Sequence, residues 1–241
     1  MHHIIIGAGP AGITAAETLR NLDPSPKITV IGEENEPPYS RMALPYYLIK
    51  QIDEKGTYLR KKESHFQSLK IDVVHGRVDK IVPERNAVVL DNTTEVSYDR
   101  LLISSGSRPV KPQISGIDLP CIYNCWTMDD GRKILDHLKP ETRIVLMGAG
   151  FIGCNFIRYL LENDAAIRIV NLDLLTYAGS MDNLSDLQAE NRYTFEYGDI
   201  CDAGLVKRLL NQHRIDTIVH FAAESHVDRS ISGPAAFVQT N

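Results

Sequence analysis

Residues 143–162 read RIVLMGAGFIGCNFIRYLLE, and this stretch decides the fold. A β-rich apolar run, a turn carrying Gly148, Gly150 and Gly153, and a helical pattern follow one another. In that order they make a strand–turn–helix unit whose helix N-terminus offers unpaired N–H groups to an anion. The chain opens on another such unit: residues 2–20 read HHIIIGAGPAGITAAETLR, with Gly7, Gly9 and Gly12 in the same places. The first glycine of each turn permits the tight bend, the second lets a pyrophosphate approach the backbone, and the third lets helix and strand pack closely. A carboxylate follows at the spacing a dinucleotide ribose needs. Glu33 lies 21 residues after Gly12, and Asp173 lies 20 residues after Gly153. A carboxylate there repels a 2′-phosphate, so the second unit reads as NAD-selective.

Around the two turns, short apolar strands alternate with helical patterns, the signature of parallel α/β architecture. The expected fold is α/β, with two Rossmann-like dinucleotide-binding units in tandem, both incomplete, the first with an inserted β-meander. Strands are expected at His3–Ile6, Ile28–Ile31 and Tyr98–Ser104, with a helix over 11–21 whose narrow apolar face is Ile13, Ala16, Thr18 and Leu19. The meander is expected from strands at Asp72–His75, Arg77–Val82 and Ala87–Leu90, with turn signals at 83–86 and 91–94. Residues 107–142 carry four prolines and read as a looser connection with a helix over 128–138. The second unit is expected to contain strands at Ile144–Met147, Ile167–Leu172, Thr194–Tyr197 and Thr217–Phe221. Ile152, Phe156, Ile157, Leu160 and Leu161 form the apolar face of its first helix. The domains are therefore 1–140 and 141–241.

A formal charge of -5 provides no basic field for a polynucleotide backbone, so no nucleic-acid partner is expected. No apolar run approaches the roughly 20 residues that span a bilayer, and IIIGAGPAGITAA lacks the basic flank of a signal peptide. A cytoplasmic protein without a membrane partner is expected. The four cysteines (Cys121, Cys125, Cys154, Cys201) include no CxxC pair and read as free thiols, although Cys121 and Cys125 are spaced like a possible redox pair. No metal-ligand cluster is evident.

GAGPAG, IGEENEPPYSRMALPYYL (31–48) and YDRLLISSGSRPVKPQISG (98–116) together resemble the FAD-binding part of pyridine-nucleotide-dependent flavoprotein reductases, in particular the nitrite-reductase and rubredoxin-reductase-like branch. The likeness covers about residues 1–153. It implies FAD in the first unit, with Glu33 on the adenosine ribose and Arg41 beside the flavin or its pyrophosphate. It further implies that Val78 contacts adenine through its backbone and that Ser104, Ser105 and Gly106 close over the cofactor. A redox cysteine pair in the first helix region is absent, as that branch requires. So is the segment with which the family's chain returns to complete the flavin side.

RIVNLDLLTYAGSMDNLSDL (168–187), RYTFEYGDICD (192–202) and IDTIVHFAAESHVDRSISGP (215–234) resemble the N-terminal part of the dTDP-glucose 4,6-dehydratases, extended short-chain dehydrogenases acting on nucleotide sugars. The likeness runs from about Asn155 to Asn241. It implies NAD in the second unit, held by the glycine turn with Phe151 and Ile152, by Asp173 on the ribose, and by Asp199 and Ile200 at the adenine. Phe221, Ala222 and Ala223 would line the cofactor, with Ser225 and His226 near its nicotinamide and sugar end. Two departures stand out. Met147 occupies the first glycine position of that family's T-G-x-x-G-x-x-G turn, where a side chain is expected to crowd the pyrophosphate. Residues 155–241 also carry no Tyr-x-x-x-Lys pair and no Asp-Glu pair, so no route to hydride chemistry is evident. The resulting expectation is a dinucleotide-binding chain joined from two families within GAGFIG, with little or no turnover and self-association through uncovered sheet edges. A nucleotide-sugar dehydratase fragment and a non-catalytic binding module are the alternatives.

Overall fold

The computed structural model describes residues 1–106, 108, 119–148, 150–175 and 181–222. By internal contacts the chain divides into two units. The first comprises Met1–Ala43 and Ile52–Ser107, and the second Leu44–Gln51 and Arg108–Asn241.

In the first unit, β1 (His2–Ile6) leads through the Gly7–Gly9 turn into α1 (Pro10–Leu22), which returns to β2 (Lys27–Gly32). After a short 3-10 turn at Arg41–Ala43 the chain leaves this unit to form α2 (Leu44–Leu48). It returns for two single-turn helices, α3 (Glu54–Thr57) and α4 (His65–Ser68), and then β3 (Ile71–His75). Next come β4 (Val78–Val82), β5 (Ala87–Leu90), β6 (Glu95–Ser97) and β7 (Arg100–Ile103). Strands β3-β2-β1-β7 form a parallel sheet, and β4-β5-β6 an antiparallel meander. The meander is present, but its membership differs from expectation. The run at 72–75 is the parallel sheet's outer strand, pairing Ile28 with Ile71 and Gly32 with His75, and Glu95–Ser97 supplies the third meander strand. The alternation of β3 suits either arrangement, so only pairing distinguishes them.

Period-2 alternation sorts the first sheet's core. Ile5, Ile28, Val30 and Ile71 face α1, where Ile13 and Ala16 meet them. Ile4 and Ile31 face the other way, packing with Val88 and Leu90 of the meander. Thr18 is exposed rather than part of the α1 face, and Ala15 and Leu19 pack instead. The helical period explains this, because Ala15 and Leu19 flank the Ile13–Ala16 stripe and Thr18 points away from it.

In the second unit, β8 (Ile122–Asn124) and α5 (Met128–His137) precede β9 (Arg143–Met147). Then follow α6 (Phe151–Asn163), β10 (Arg168–Asp173), a 3-10 stretch at Met181–Leu187, β11 (Tyr193–Tyr197), α7 (Ala203–Gln212) and β12 (Thr217–His220). The sheet is parallel in the order β11-β10-β9-β12-β8. Strand β8 lies in the stretch that reads as a connection; its three residues are too few for a period to register. Helix α5 starts on a capping box: Thr127 Oγ1 accepts from Asp130 N at 3.1 Å, while Asp130 Oδ2 accepts from Thr127 N at 2.8 Å. Asp202 caps α7 by accepting from Gly204 and Leu205 N at 2.9 and 3.0 Å.

One face of this sheet buries Ile144, Leu146, Ile169 and Val219 with Phe156, Ile157 and Leu160 of α6, Ile134 of α5 and Leu48 of α2. The other buries Val145, Met147, Val170, Leu172 and Ile218 against Val206 and Leu209 of α7. Burying each large side chain contributes roughly 1.5–3 kcal/mol relative to exposure, so these faces dominate the unit's stability. Ile152 is 37% exposed and lies off the α6 core face; Cys154 takes a place on it.

Candidate functional site

Both glycine turns sit where parallel strands end together. In the first unit Ile6 is in register with Ile31 and Ile103, so Gly7, Glu33 and Ser104 follow the carboxyl ends of three adjacent strands. Gly7 N donates to Ile31 O at 2.8 Å, and Ser104 N donates to Ile6 O at 2.7 Å. Gly7 has φ +113°, and a Cβ there would lie 2.1 Å from Ser104 O. A Cβ on Gly12 would lie 1.9 Å from Gly7 O, so helix and strand pack at a separation only glycine allows. At Gly9 a Cβ would meet nothing within 4 Å. The turn is thus filled at its first and third glycines and open at its second, where α1 begins with no side-chain cap. An open, uncapped helix start is what an anion can occupy.

The remaining first-unit residues surround that edge. Glu33 is exposed just past β2, and its carbonyl shares a 2.9 Å hydrogen bond with His75 Nε2. Ser105 and Gly106 continue exposed beyond β7, with open space around Gly106. Val78 starts the meander three residues after β3 ends, half-buried and paired with Leu90. Arg41 is held by Glu34: its guanidinium donates to Glu34 Oε1 at 2.7 Å, while Tyr39 Oη donates to Oε2 at 2.5 Å. Sequence reasoning named Arg41 and missed Glu34, Tyr39 and His75, because nothing in the spacing of PYSR signals an internal carboxylate partner.

The second unit repeats this geometry. Met147 is in register with Leu172 and His220, bringing together Gly148, Asp173, Gly198–Asp199 and Phe221–Ala222 at one edge. Gly148 has φ +92°, and its Cβ would lie 2.5 Å from Ala222 N; a Cβ on Gly153 would lie 2.2 Å from Gly148 O. Helix α6 starts at Gly150 without a side-chain cap. Asp173 is 8% exposed, and its Oδ1 accepts from Leu175 N at 2.6 Å. Asp199 is exposed and accepts from Cys201 N at 2.8 Å, and Ile200 is buried beside Val206. Phe221 packs edge-to-face on Phe156, ring centroids 5.6 Å apart. Ala223 and Ser225, with His226, lie outside the described residues, as does the side chain of Phe151.

Met147 does not crowd the turn. Its side chain is buried with Val145 and Leu172, and its carbonyl accepts from Phe221 and Ala222 N at 2.7 and 2.8 Å. As the last residue of β9 it points to the face that Val145 occupies, away from the bend.

No redox pair is available at Cys121 and Cys125. They bracket the three-residue β8, and four residue steps at strand rise span about 13 Å, against under about 7 Å between Cα atoms for a disulfide. Burial, reinforced by Asp130, pushes the Cys125 thiol up to about 12. Among the described residues no group of three or more His, Cys, Asp or Glu could hold a metal ion, and no helix is long and apolar enough to cross a membrane.

Two family models match the chain. The pyridine nucleotide-disulphide oxidoreductase model covers residues 1–186, and the GDP-mannose 4,6 dehydratase model covers residues 144–241. They overlap across β9, the second glycine turn and α6. The dTDP-glucose 4,6-dehydratase of Salmonella typhimurium is 50% identical over 98 residues, 41% of this chain and 27% of that protein. Its counterpart from Xanthomonas campestris pv. campestris B100 is 53% identical over 100 residues, 42% of this chain and 28% of that one. The chain thus spans about a quarter of the length of these curated relatives. Among solved structures, the NADH:rubredoxin oxidoreductase of Clostridium acetobutylicum superposes with a TM-score of 0.73 at 21% identity, covering 96% of this chain and 60% of that one. An NAD-dependent persulfide reductase from A. fulgidus gives 0.66 at 26% identity, covering 92% and 39%. The fold is that of these Rossmann-type oxidoreductases, and residues 144–241 are dTDP-glucose 4,6-dehydratase-like. By the match over residues 1–186, the chain belongs to the pyridine nucleotide-disulphide oxidoreductase family.

Proposed function

We propose that the chain binds two adenine dinucleotides, FAD in the first unit and NAD in the second, and turns over little or nothing. The observation that carries this reading is the repeated edge geometry. Each unit has an uncapped helix start beside a glycine turn, with a carboxylate residue following the neighbouring strand. Glu33 would hold the FAD ribose and Asp173 the NAD ribose, with Ser104–Gly106 flanking the first cofactor and Asp199, Ile200, Phe221 and Ala222 the second. Arg41 would meet the FAD pyrophosphate. When bound, FAD would supply hydride acceptance and NAD a nicotinamide; among the described residues no acid–base pair stands at either edge. The overlap of the two family matches at residues 144–186 supports a fusion made inside a motif both families use.

The test is equilibrium dialysis of the purified chain against FAD and NAD separately, followed by addition of NADH to the FAD-loaded chain. Binding of both without bleaching of the flavin is expected. Failure to bind either dinucleotide removes the reading, and bleaching by NADH replaces it with a working oxidoreductase.

The identity of residues 144–241 to dehydratases favours a second reading, an NAD-using nucleotide-sugar dehydratase fragment. A keto-sugar product from dTDP-glucose would establish it. We further propose self-association through β7, the outer strand beyond β1, where Leu102 and Ile103 are 42% and 58% exposed. A monodisperse monomer in light scattering would contradict this.

A further inference from the structure

The parallel sheet of the first unit ends on two outer strands, β3 and β7, and among the described residues no strand lies beyond either. Each carries an exposed apolar pair. Val73 and Val74 on β3 are 38% and 37% exposed, and Leu102 and Ile103 on β7 are more open still. A cavity of about 440 Å³ runs along the β3 edge. Ile71 and Val73 line it from the α1 face of the sheet, and Val74, Ile31 and Val96 from the meander face.

The two edges fit one another in level, in bonding and in face. Leu102, Ile5, Val30 and Val73 already stand at one level across the sheet. Ser104 N donates to Ile6 O at 2.7 Å, so the even-numbered residues of β7 turn their backbone groups toward β1. Backbone groups alternate sides along a strand, which directs those of Leu101 and Ile103 outward. Gly76 N donates to Gly32 O at 2.8 Å, so Asp72 and Val74 turn toward β2 and Val73 outward. Side chains alternate too: Leu102 and Val73 share the α1 face, and Ile103 and Val74 the meander face. A parallel β7 set beside β3 at this level therefore pairs Leu102 with Val73 and Ile103 with Val74. The Val73 N–H meets the Leu101 carbonyl, and the Ile103 N–H meets the Val73 carbonyl. Arg100 and Asp72 stand opposite Ile71 and Leu101, so no like charges meet.

We propose that β7 of one copy adds in parallel to β3 of a second copy, extending the sheet from chain to chain. This names the partner strand for the self-association through β7 and rests on it. The occupant is a second copy because the complementary edge belongs to the chain itself. β3 is a poor partner for its own kind: antiparallel pairing centred on Val73 sets Asp72 opposite Val74 and Ile71 opposite His75. β7 paired with itself would leave the cavity at β3 unfilled. The contact is heterologous, so each added copy presents a fresh edge and growth does not stop at two.

Sedimentation velocity of the full chain over a range of concentrations tests this, with two edge-blocked variants, Val74→Lys and Ile103→Lys. A lysine on an edge strand opposes pairing. The native chain is expected to grow past the mass of two chains as concentration rises. Each variant alone should stay monomeric, and an equimolar mixture should form one-to-one pairs, because one supplies an intact β7 and the other an intact β3. Circular dichroism checks that both variants are folded. If either is not, Val73→Lys and Leu102→Lys, on the other face, repeat the mixing. Dimers of a β3 variant alone mean that β7 pairs with itself; they overturn the β3 partner and keep self-association through β7. Dimers of a β7 variant alone, or a mixture that stays monomeric while the native chain assembles, also overturn the pairing. A native chain that stays monomeric removes the pairing and the self-association together.

Discussion

The two glycine turns are near copies, yet the sheets that carry them are finished differently. Both turns place a positive-φ glycine first and a glycine against its carbonyl third, with limiting approaches of 1.9 and 2.2 Å. Beyond the turns the likeness ends. The first sheet stops at β7 with exposed Leu102 and Ile103, whereas the second continues past β12 into β8. The first unit's carboxylate, Glu33, is exposed, while Asp173 is buried and oriented by the Leu175 N–H. A glycine turn of this kind is thus a local object that two sheets of different strand order can build equally well.

Substitutions at the shared glycines should separate the units most sharply. Gly12→Val drives a side chain into Gly7 O and is expected to abolish FAD binding, by more than a hundredfold, while NAD binding persists. Gly153→Val should do the reverse. Dialysis of both variants against both cofactors checks this, and loss of both ligands from either variant would mean that the units are not independent binders.

Core truncation comes next. Phe156→Ala removes a fully buried ring that packs on Phe221 and is expected to cost about 3–5 kcal/mol. The sole tryptophan, Trp126, lies in the second unit, so its fluorescence in urea reports that unit's unfolding. Exchange protection of β1 and β2 should stay unchanged.

The second unit should also lose stability on mild acidification. Burial holds the His220 imidazole below its ordinary value of 6.5, with a backbone hydrogen bond at Met147 pulling partly back. The folded state therefore resists a proton that the unfolded chain accepts. Stability is fully present above 6.5 and declines as the pH falls through that value. The Trp126 urea midpoint is expected to drop between pH 7.5 and 5.5, and His220→Gln should shrink the drop. The first unit has a counterpart in His2, also held below 6.5 by burial and by Lys27, and a further loss that comes lower. Hydrogen bonds from Arg60, and then His65, hold Glu17 below its ordinary 4.5, and their contribution fades only as the pH falls past that value.

Caps give the smallest effect. Asp202→Ala strips α7 of its N-terminal acceptor and should cost about 0.5–2 kcal/mol, read from the same fluorescence transition.

Much of this was legible in the residues. Glycine spacing and strand periodicity located both turns, both acidic residues and the parallel strands, because each is a local pattern with a local cause. Pairing was not legible. The run at 72–75 alternates as a meander strand would, yet pairs with β2, and Ile122–Asn124 is too short to carry a period. Side-chain direction at strand ends was also hidden. Met147 looks obstructive from its place in the motif, yet its side chain is buried with Val145 and Leu172. The pairing of Arg41 with Glu34, seven residues earlier, is a contact no short motif encodes.

The place of α2 in the chain has a consequence for the order in which the protein is made. Leu44, Tyr47 and Leu48 leave the ribosome well before the side chains they will meet: Ile134 follows Leu48 by 86 residues. At synthesis rates of about 5–20 residues per second, α2 waits roughly 4–17 s before even the first of those partners exists. During that interval three large apolar side chains stand on a helix too short to persist alone. The second unit therefore has a late-closing core whose earliest piece is born within the first. The nascent chain is most exposed to misassembly while residues 52–134 are being added.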